Sequence, residues 1–579
     1  MDFFMLYFKK PHFSERGNKM IDNGMIYFAK AGKSSDELTE KICLNPKLAN
    51  RHGFICGATG TGKTVTLKVL AESFSAMGVP VFVSDIKGDV SGLLNPGTDS
   101  ESMQKRITRF GIGDSFTYQG FPCNFFDIYG TKGIPLRTTV SEMGPQLMAK
   151  VLGLNDAQSD LLAVIYKMAD DNDLLLVDTK DLKACLNYAY DNAALFEMEY
   201  GHIQKASVST IVRAIVALES EGADQFFGEP AIDIKDFFRT SDNGYGIINI
   251  LDSEALINKP RLYAAFMLFL LSELFEVLPE VGDPEKPKMV FFFDEAHLLF
   301  NNATPALMEK INQVIKLIRS KGVSVFFVTQ SPGDIPDSVM SQLSNKIEHA
   351  LRAYTPAEKK ALKAASDAFR ENPEFNTMTL LQELGTGEAI VSMLDAHGVP
   401  EVAKHAFILP PESSMEPITD EERQEAINES RLNIKYGEVA ETDSAYEFIM
   451  RLRQQEEEML DEAKKEYEAL KQQEKEDKLA AKEAEKAEKE AAKAALKAEK
   501  EAQKEAEKAA KALEKEEAKK KNALKQAAKS VSSTASGTVG REIGKSIGKT
   551  IGGDFGKTLG GNLGAALGRN ILGTLFKLK

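Results

Sequence analysis

An α/β fold with a mostly parallel sheet is predicted by three features of the sequence. Short apolar runs of strand length recur along residues 20–411: FICG (54–57), VPVFVSD (79–85), YGIINIL (245–251), KMVFFFDEAH (288–297) and VSVFFVTQ (323–330). Helical stretches separate them, and strands that alternate with helices pair in parallel with both faces covered. A glycine-rich turn joins the first of these strands to a helix, at the end of the sheet where open α/β folds bind ligands.

Taken in order, residues 1–19 (MDFFMLYFKKPHFSERGNK) differ in character from the rest of the chain. A translation start at Met20 would exclude them, with Glu15-Arg16-Gly17 then encoded by a purine-rich ribosome-binding sequence. Residues 20–137 form the first part of the α/β unit: the strand at 54–57, a helix from about Thr64 to Met77, and a second strand at 79–85 after Gly78. Over 138–228 the periodicity turns helical (SEMGPQLMAKVLGL, DLLAVIYKMA), which predicts a helical insertion. Residues 229–411 complete the unit, closing with NKIEHALRAY and GEAIVSML, and 412–460 read as a helical connector. Residues 461–530 hold 20 Lys against 18 Asp and Glu, many three or four apart, so they predict a solvated helical spacer. A coiled coil is the alternative, and the sparse apolar positions favour the solvated helix over it. In the tail, 531–579, glycine recurs every fourth residue from Gly540 to Gly568, each after an apolar neighbour, and Lys and Arg prevail. Pairing with copies of itself, lying on a membrane surface and remaining a disordered tail all fit that pattern.

The 579 residues give room for three or four units at roughly 100–200 residues each. A formal charge of −14 excludes a polycation that coats nucleic acid, though not a local basic groove. Cys43, Cys56, Cys123 and Cys185 are scattered without a CxxC pair, which argues against a disulfide scaffold or zinc ribbon and fits a reducing cytoplasm. The apolar run 262–278 is broken by Glu273 and Glu276 and is short for a membrane span, so it reads as a buried core helix.

The strongest chemical signal is Gly57-Ala58-Thr59-Gly60-Thr61-Gly62-Lys63-Thr64, a GxxxxGK[ST] loop between strand and helix, with Val65 next. Its glycines let backbone amides face a phosphate chain, Lys63 should reach the β- and γ-phosphates, and Thr64 should hold Mg²⁺. ATP and Mg²⁺ are the expected ligands. A second apolar strand delivers Asp294 and Glu295 to its tip. Asp294 is expected in the Mg²⁺ shell, and Glu295 should orient or deprotonate the attacking water, although an acidic turn after a buried strand would look the same without the loop. Gln330 ends a neighbouring strand and is read as a γ-phosphate sensor rather than a plain strand cap. Asp85, within Asp85-Ile86-Lys87-Gly88-Asp89, is read as polarising the water or supporting the metal. His297 is assigned to packing or coupling, because a carboxylate already fills the base's role.

NRHGFICGATGTGKTVTL (50–67), SDIKGDVSGL (84–93), FFFDEAHLLF (291–300), IRSKGVSVFFVTQSPGDIP (318–336) and GEAIVSML (387–394) resemble the HerA/FtsK group of P-loop ATPases, in particular its bacterial HerA-like branch. The resemblance covers about 20–435 and the basic tail. It implies a RecA-like P-loop ATPase fold and a ring, expected as a hexamer, that couples ATP hydrolysis to DNA translocation or unwinding. It also implies that a neighbour's arginine completes each site, which Arg319 matches best and Arg352 second, while Arg51 matches an arginine that touches nucleotide in its own subunit. HerA proteins usually carry a small N-terminal β-barrel, and the residues before Arg51 are too few for one, which puts a HerA-type nuclease partner in doubt. Lys321 and Lys346 are candidates to face a central pore. No zinc finger, winged helix or aromatic-basic strip points to nucleic acid independently, so a membrane-associated or protein-remodelling ATPase and a nucleotide-gated scaffold remain the alternatives.

Overall fold

The computed structural model describes residues 20–301 and 304–513; the expectations for 1–19 and for the glycine-patterned tail lie outside them. The chain divides into two compact units, the first ending at Glu447 and the second beginning at Phe448.

In the first unit one sheet contains β1 (Ile21–Asp22), β2 (Met25–Gly32), β3 (Leu38–Leu44), β4 (Gly53–Cys56), β5 (Val81–Asp85), β6 (Cys123–Asp127) and β7 (Ile134–Pro135). It continues with β8 (Ile248–Asp252), β9 (Met289–Phe293), β10 (Val323–Thr329), β11 (Asn345–Glu348), β12 (Glu388–Ser392) and β13 (Lys404–Ile408). The order is β1-β2-β13-β12-β11-β4-β10-β9-β5-β8-β6-β7, with β3 also on β2. From β11 to β7 every pairing is parallel, as predicted. From β11 through β12, β13 and β2 the pairings are antiparallel.

β5, β9 and β10 are buried along their whole length, which is why they read as unbroken apolar runs. At the centre, only glycine fits at position 53, where a Cβ would fall 2.1 Å from the Phe326 ring on β10. Phe326 in turn stacks on Phe292 of β9 at 5.2 Å between centroids. The helix Pro260–Val277 is the expected core helix, buried along most of its length from Leu262 to Leu274. Among the described residues no helix is long and apolar enough to cross a membrane.

Between β7 and β8 the chain is helical: Val140–Leu152, Asp156–Asp171, Thr179–Asp191, Ala193–Tyr200, Lys205–Glu219 and the short Ala223–Phe226. Three of these start with reciprocal capping boxes, Thr139 with Glu142, Asn155 with Gln158 and Asp178 with Asp181, which satisfy the free amides of each first turn.

The strands before Arg51 extend the sheet that carries the phosphate loop, with β2 paired to β13. One region differs from the sequence reading. Residues 412–447 are more than a connector. Ser413 bridges to Pro96, the helices Asp420–Glu429 and Arg431–Tyr436 come next, and Ala440 bridges to Glu229. The charged helix starts at Ala445, well before 461, and runs to Leu513.

This returning strap is tied to α1 (Lys63–Ala76), the helix that leaves the phosphate loop. Glu72 accepts from the backbone amides of Glu412 (2.9 Å) and Ser413 (3.1 Å) and from the Ser413 hydroxyl. Lys68 Nζ donates to Ser414 O at 2.8 Å. Burial, reinforced by the Glu72 charge and only partly offset by a hydrogen bond from Gln119, pushes Glu412 up to about 8. Burial pushes Glu72 up to about 7.

A carboxyl that holds its proton more tightly when folded contributes stability below its unfolded pKa, and that stability is lost as pH rises through the folded value. Glu412→Gln should therefore raise the thermal midpoint by roughly 2 °C or more at pH 8.5 and change it little near pH 4.5, as followed by scanning calorimetry. A loss at pH 8.5 that shrinks toward pH 4.5 would show instead that the carboxylate is needed in its charged form.

Candidate active site

β4 ends at Cys56 and α1 begins at Lys63, so Gly57–Gly62 must turn the chain tightly between them. Gly57, Gly60 and Gly62 have φ of 154°, 78° and 112°. A side chain would also be blocked at two of them: a Cβ at Gly57 would lie 2.5 Å from His349 Cβ, and one at Gly62 would lie 3.2 Å from Gly387 N. The loop is held from outside by three strand ends. Gly57 N donates to Thr329 O at 3.3 Å, Ala58 N to Ala350 O at 2.8 Å, and Gly387 N to Thr61 O at 2.9 Å. Lys63 Nζ curls over the loop, donating to Gly57 O (2.6 Å) and Ala58 O (3.1 Å). Burial, with Lys87 nearby, keeps its pKa below the usual lysine value. Thr64 and Val65 lie partly exposed in the first turn of α1.

β9 carries Asp294 and Glu295 just past its tip. Glu295 has φ 46°, an uncommon backbone conformation for a residue with a side chain. Its Oε1 accepts from Lys87 Nζ at 2.6 Å and from Gln330 Nε2 at 2.8 Å. Gln330 Oε1 accepts from Thr59 Oγ1 at 3.3 Å, so the acid, the strand-tip amide and the phosphate loop form one chain of contacts. Glu295 Oε2 is buried without a hydrogen bond and lies 3.3 Å from His297 Nδ1. Burial alone would raise the Glu295 pKa, but Lys87 and Gln330 outweigh it and the net direction is down. Asp294 goes the other way: burial pushes it up to about 6, with Lys87 opposing and Glu295 adding to the rise.

The donor set suits Mg²⁺. The Thr64 hydroxyl and the Asp294 carboxyl are hard oxygen ligands, and Asp294 is close enough to act on the charge of Lys63. The cradle of loop amides, closed to a side chain at Gly57 and tight at Gly62, suits a phosphate chain.

Asp85 is occupied in a different way from the one expected. Its Oδ1 accepts from the amides of Lys87 (3.2 Å) and Gly88 (2.8 Å), and its Oδ2 from that of Val90 (3.1 Å). Burial, with Asp89 and Asp294 adding, pushes it up to about 7. Its geometry is that of a residue holding the turn that carries Lys87.

The arginines separate by sheet edge. Arg51 precedes β4 and so lies at the opposite end of that strand from Gly57, about 13 Å of strand away. Its guanidinium packs against Gly398. This corrects the expectation that Arg51 touches nucleotide in its own subunit. Arg319 precedes β10 at the same far edge, with Nη2 3.7 Å from Asp283 Oδ1. Arg352 is at the loop's edge, two residues past the Ala350 carbonyl that anchors Ala58, and donates to Gln382 O. Lys321 lies over the Phe275 ring at 4.9 Å, and Lys346 Nζ donates to Ala368 O at 3.2 Å.

Several contributors had no assigned role in the sequence reading. Lys87 lay inside a quoted motif. His349 is fully buried and neutral, its pKa pushed down to about 4 by burial; its Nε2 lies 2.8 Å from Thr66 Oγ1 and its Nδ1 2.8 Å from Glu388 O. Arg106 packs on Gly387 and donates to Ile408 O at 3.0 Å, bracing the turn that backs Gly62. A lone His or Arg carries no signal of this kind in sequence.

A phosphate loop, an acid pair and a polar strand tip, brought together at one end of a parallel sheet, define the class: a P-loop ATPase. Within that class the chain belongs to the HerA-like helicase family, since the family model described as helicase HerA-like C-terminal matches residues 30–575. It is 24% identical over 413 residues to a probable helicase, MJECL08, of Methanocaldococcus jannaschii, covering 68% of this chain and 73% of that protein. It is 23% identical over 354 residues to the DNA double-strand break repair helicase HerA of Sulfolobus acidocaldarius, covering 61% of this chain and 63% of that one. Solved structures similar to it include the bacterial conjugative coupling protein TrwB (14% identity, 68% of this chain and 91% of that one, TM-score 0.45). Another is VirB4 of Thermoanaerobacter pseudethanolicus (15% identity, 67% and 97%, TM-score 0.42).

Gly387→Ala tests the bracing of the loop, since φ is +79° there and a Cβ would meet Arg106 Nη2 at 2.5 Å. It should cost roughly 1–3 kcal/mol of stability and weaken ATP binding, measured by thermal unfolding and by titration with a fluorescent ATP analogue. Unchanged affinity would show that the turn does not shape the loop.

Proposed function

We propose that this chain is the subunit of a cytoplasmic ring, a hexamer, that uses ATP hydrolysis to translocate along or unwind DNA. The observation that carries the hydrolytic part is the contact chain from Thr59 through Gln330 to Glu295, which joins the phosphate loop to a candidate base. In this reading Lys63 leaves the Gly57 and Ala58 carbonyls for the β- and γ-phosphates, while the loop amides hold the phosphate chain. Thr64 and Asp294 hold Mg²⁺, which neutralises phosphate charge when bound. Glu295 takes the proton of the attacking water, and Gln330 exchanges its hydrogen bond with Glu295 for one to the γ-phosphate.

The ring is supported by the position of Arg319. It lies at the sheet edge away from its own loop, 3.7 Å from Asp283, so a role at a nucleotide site would be at that of another copy. An arginine supplied from a neighbour stabilises charge on the transferring phosphate. The DNA substrate is supported by family membership, and a HerA-type nuclease partner is not part of the proposal. Contact of the glycine-patterned tail with a membrane surface concerns residues outside those described.

Steady-state ATP hydrolysis with and without duplex DNA tests the reading. DNA should raise the rate several-fold, and that stimulation should fall steeply with added salt, because phosphate contacts release counterions. Lys63→Ala and Glu295→Gln should abolish turnover, and Arg319→Ala should reduce it strongly while leaving ATP binding. A rate that the variants abolish but DNA leaves unchanged would overturn the DNA substrate and leave the ATPase standing.

A further inference from the structure

Lys87 has no part in the mechanism above, yet its ammonium is the nearest cation to the candidate base. Its Nζ lies 2.6 Å from Glu295 Oε1, with the glutamate side chain 5% exposed and the lysine side chain 41% exposed. The same Oε1 also takes the Gln330 amide, so one carboxylate oxygen receives both donors. The other, Oε2, is buried, has no hydrogen bond and lies 3.3 Å from His297 Nδ1, an arrangement that costs free energy unless something completes it. A general base needs this division: one oxygen fixed by donors, the other left to receive a proton from water.

From this geometry we infer that Lys87 is a positioning residue, which holds Oε1 of Glu295, beside Gln330 until that amide turns to the γ-phosphate, and so presents Oε2 to the attacking water. The inference rests on Glu295 being the base. The polypeptide around Lys87 is built to aim it. Gly88, at φ 77°, turns the chain just after it, and Asp85 accepts the amides of Lys87, Gly88 and Val90, which fixes the start of that turn. Asp294 and Asp89 also face the Lys87 ammonium, and with Glu295 they keep it charged against the effect of burial. The clamp also gives the site a second dependence on nucleotide. When Gln330 turns to the γ-phosphate, Lys87 alone keeps the carboxylate in place.

The test compares Lys87→Met, Lys87→Arg and Glu295→Gln in the full chain, measuring kcat, KM and equilibrium binding of a fluorescent ATP analogue. Lys87→Met keeps the length of the side chain and removes the donor. It should lower kcat by roughly tenfold or more while KM and the binding constant stay within about threefold of wild type. Lys87→Arg still reaches Oε1 with a charged donor and should restore most of the lost turnover. An unchanged kcat in Lys87→Met would overturn the inference, as would equal losses of binding and turnover, or an arginine variant as poor as the methionine one. Glu295→Gln separates the two levels. If it hydrolyses ATP like wild type, the base assignment itself fails. If it is inactive while Lys87→Met keeps full kcat, the positioning role alone fails.

Discussion

Glu295 is held ionised inside the end of a sheet, and an unpaired charge there would cost several kcal/mol. The pairing that avoids the cost depends on register. Phe293 is level with Ser84 on β5 and with Phe327 on β10. Lys87 and Gln330 follow the ends of β5 and β10, the two strands that flank β9, so these pairings set which donors reach Glu295. A slip of one residue in either pairing would point the donor to the wrong face. The continuous apolar burial of β5, β9 and β10 makes such a slip costly, because each strand is packed on both faces. The aromatic stack through Phe292 and Phe326, made possible by Gly53, fixes the same register at the centre of the sheet.

The antiparallel half of the sheet supports the site from the other side. β11 places His349 under Gly57, and the turn before β12 places Gly387 behind Gly62. Arg106 reaches over that turn to the end of β13. The phosphate loop is therefore shaped by residues that lie in the last third of the sheet's sequence, and its glycines are needed as much for these close approaches as for their φ values.

Much of this was legible in the chain itself. The loop, the acid pair and Gln330 obey local rules: a glycine spacing, or a polar residue at the end of an apolar run. The strands that carry them announce themselves because parallel strands buried on both faces are nearly all apolar. β2, β3 and β13 have mixed faces, and β2 shifts register against β3, so their periodicity is weak. β7 has only two residues. Lys87 and His349 could not be assigned because their roles exist only through partners far away in sequence, Glu295 at a separation of 208 and Thr66 at 283. The expectation for Arg51 came from the family resemblance, which carries no geometry: in this fold β4 separates it from the loop of its own chain.

The tie between α1 and the strap sets the smallest piece of this chain that can fold on its own terms. A fragment cut at 411, where the apolar runs end, would keep Glu72 and Lys68 inside the core and discard the amides, hydroxyl and carbonyl that satisfy them. It would also bare the surfaces of β6 and β7 that the helices Asp420–Glu429 and Arg431–Tyr436 cover. The compact unit that holds the phosphate loop includes the strap as far as Glu447, and the strap's backbone from 412 to 414 holds the polar groups of the helix on which that loop is mounted.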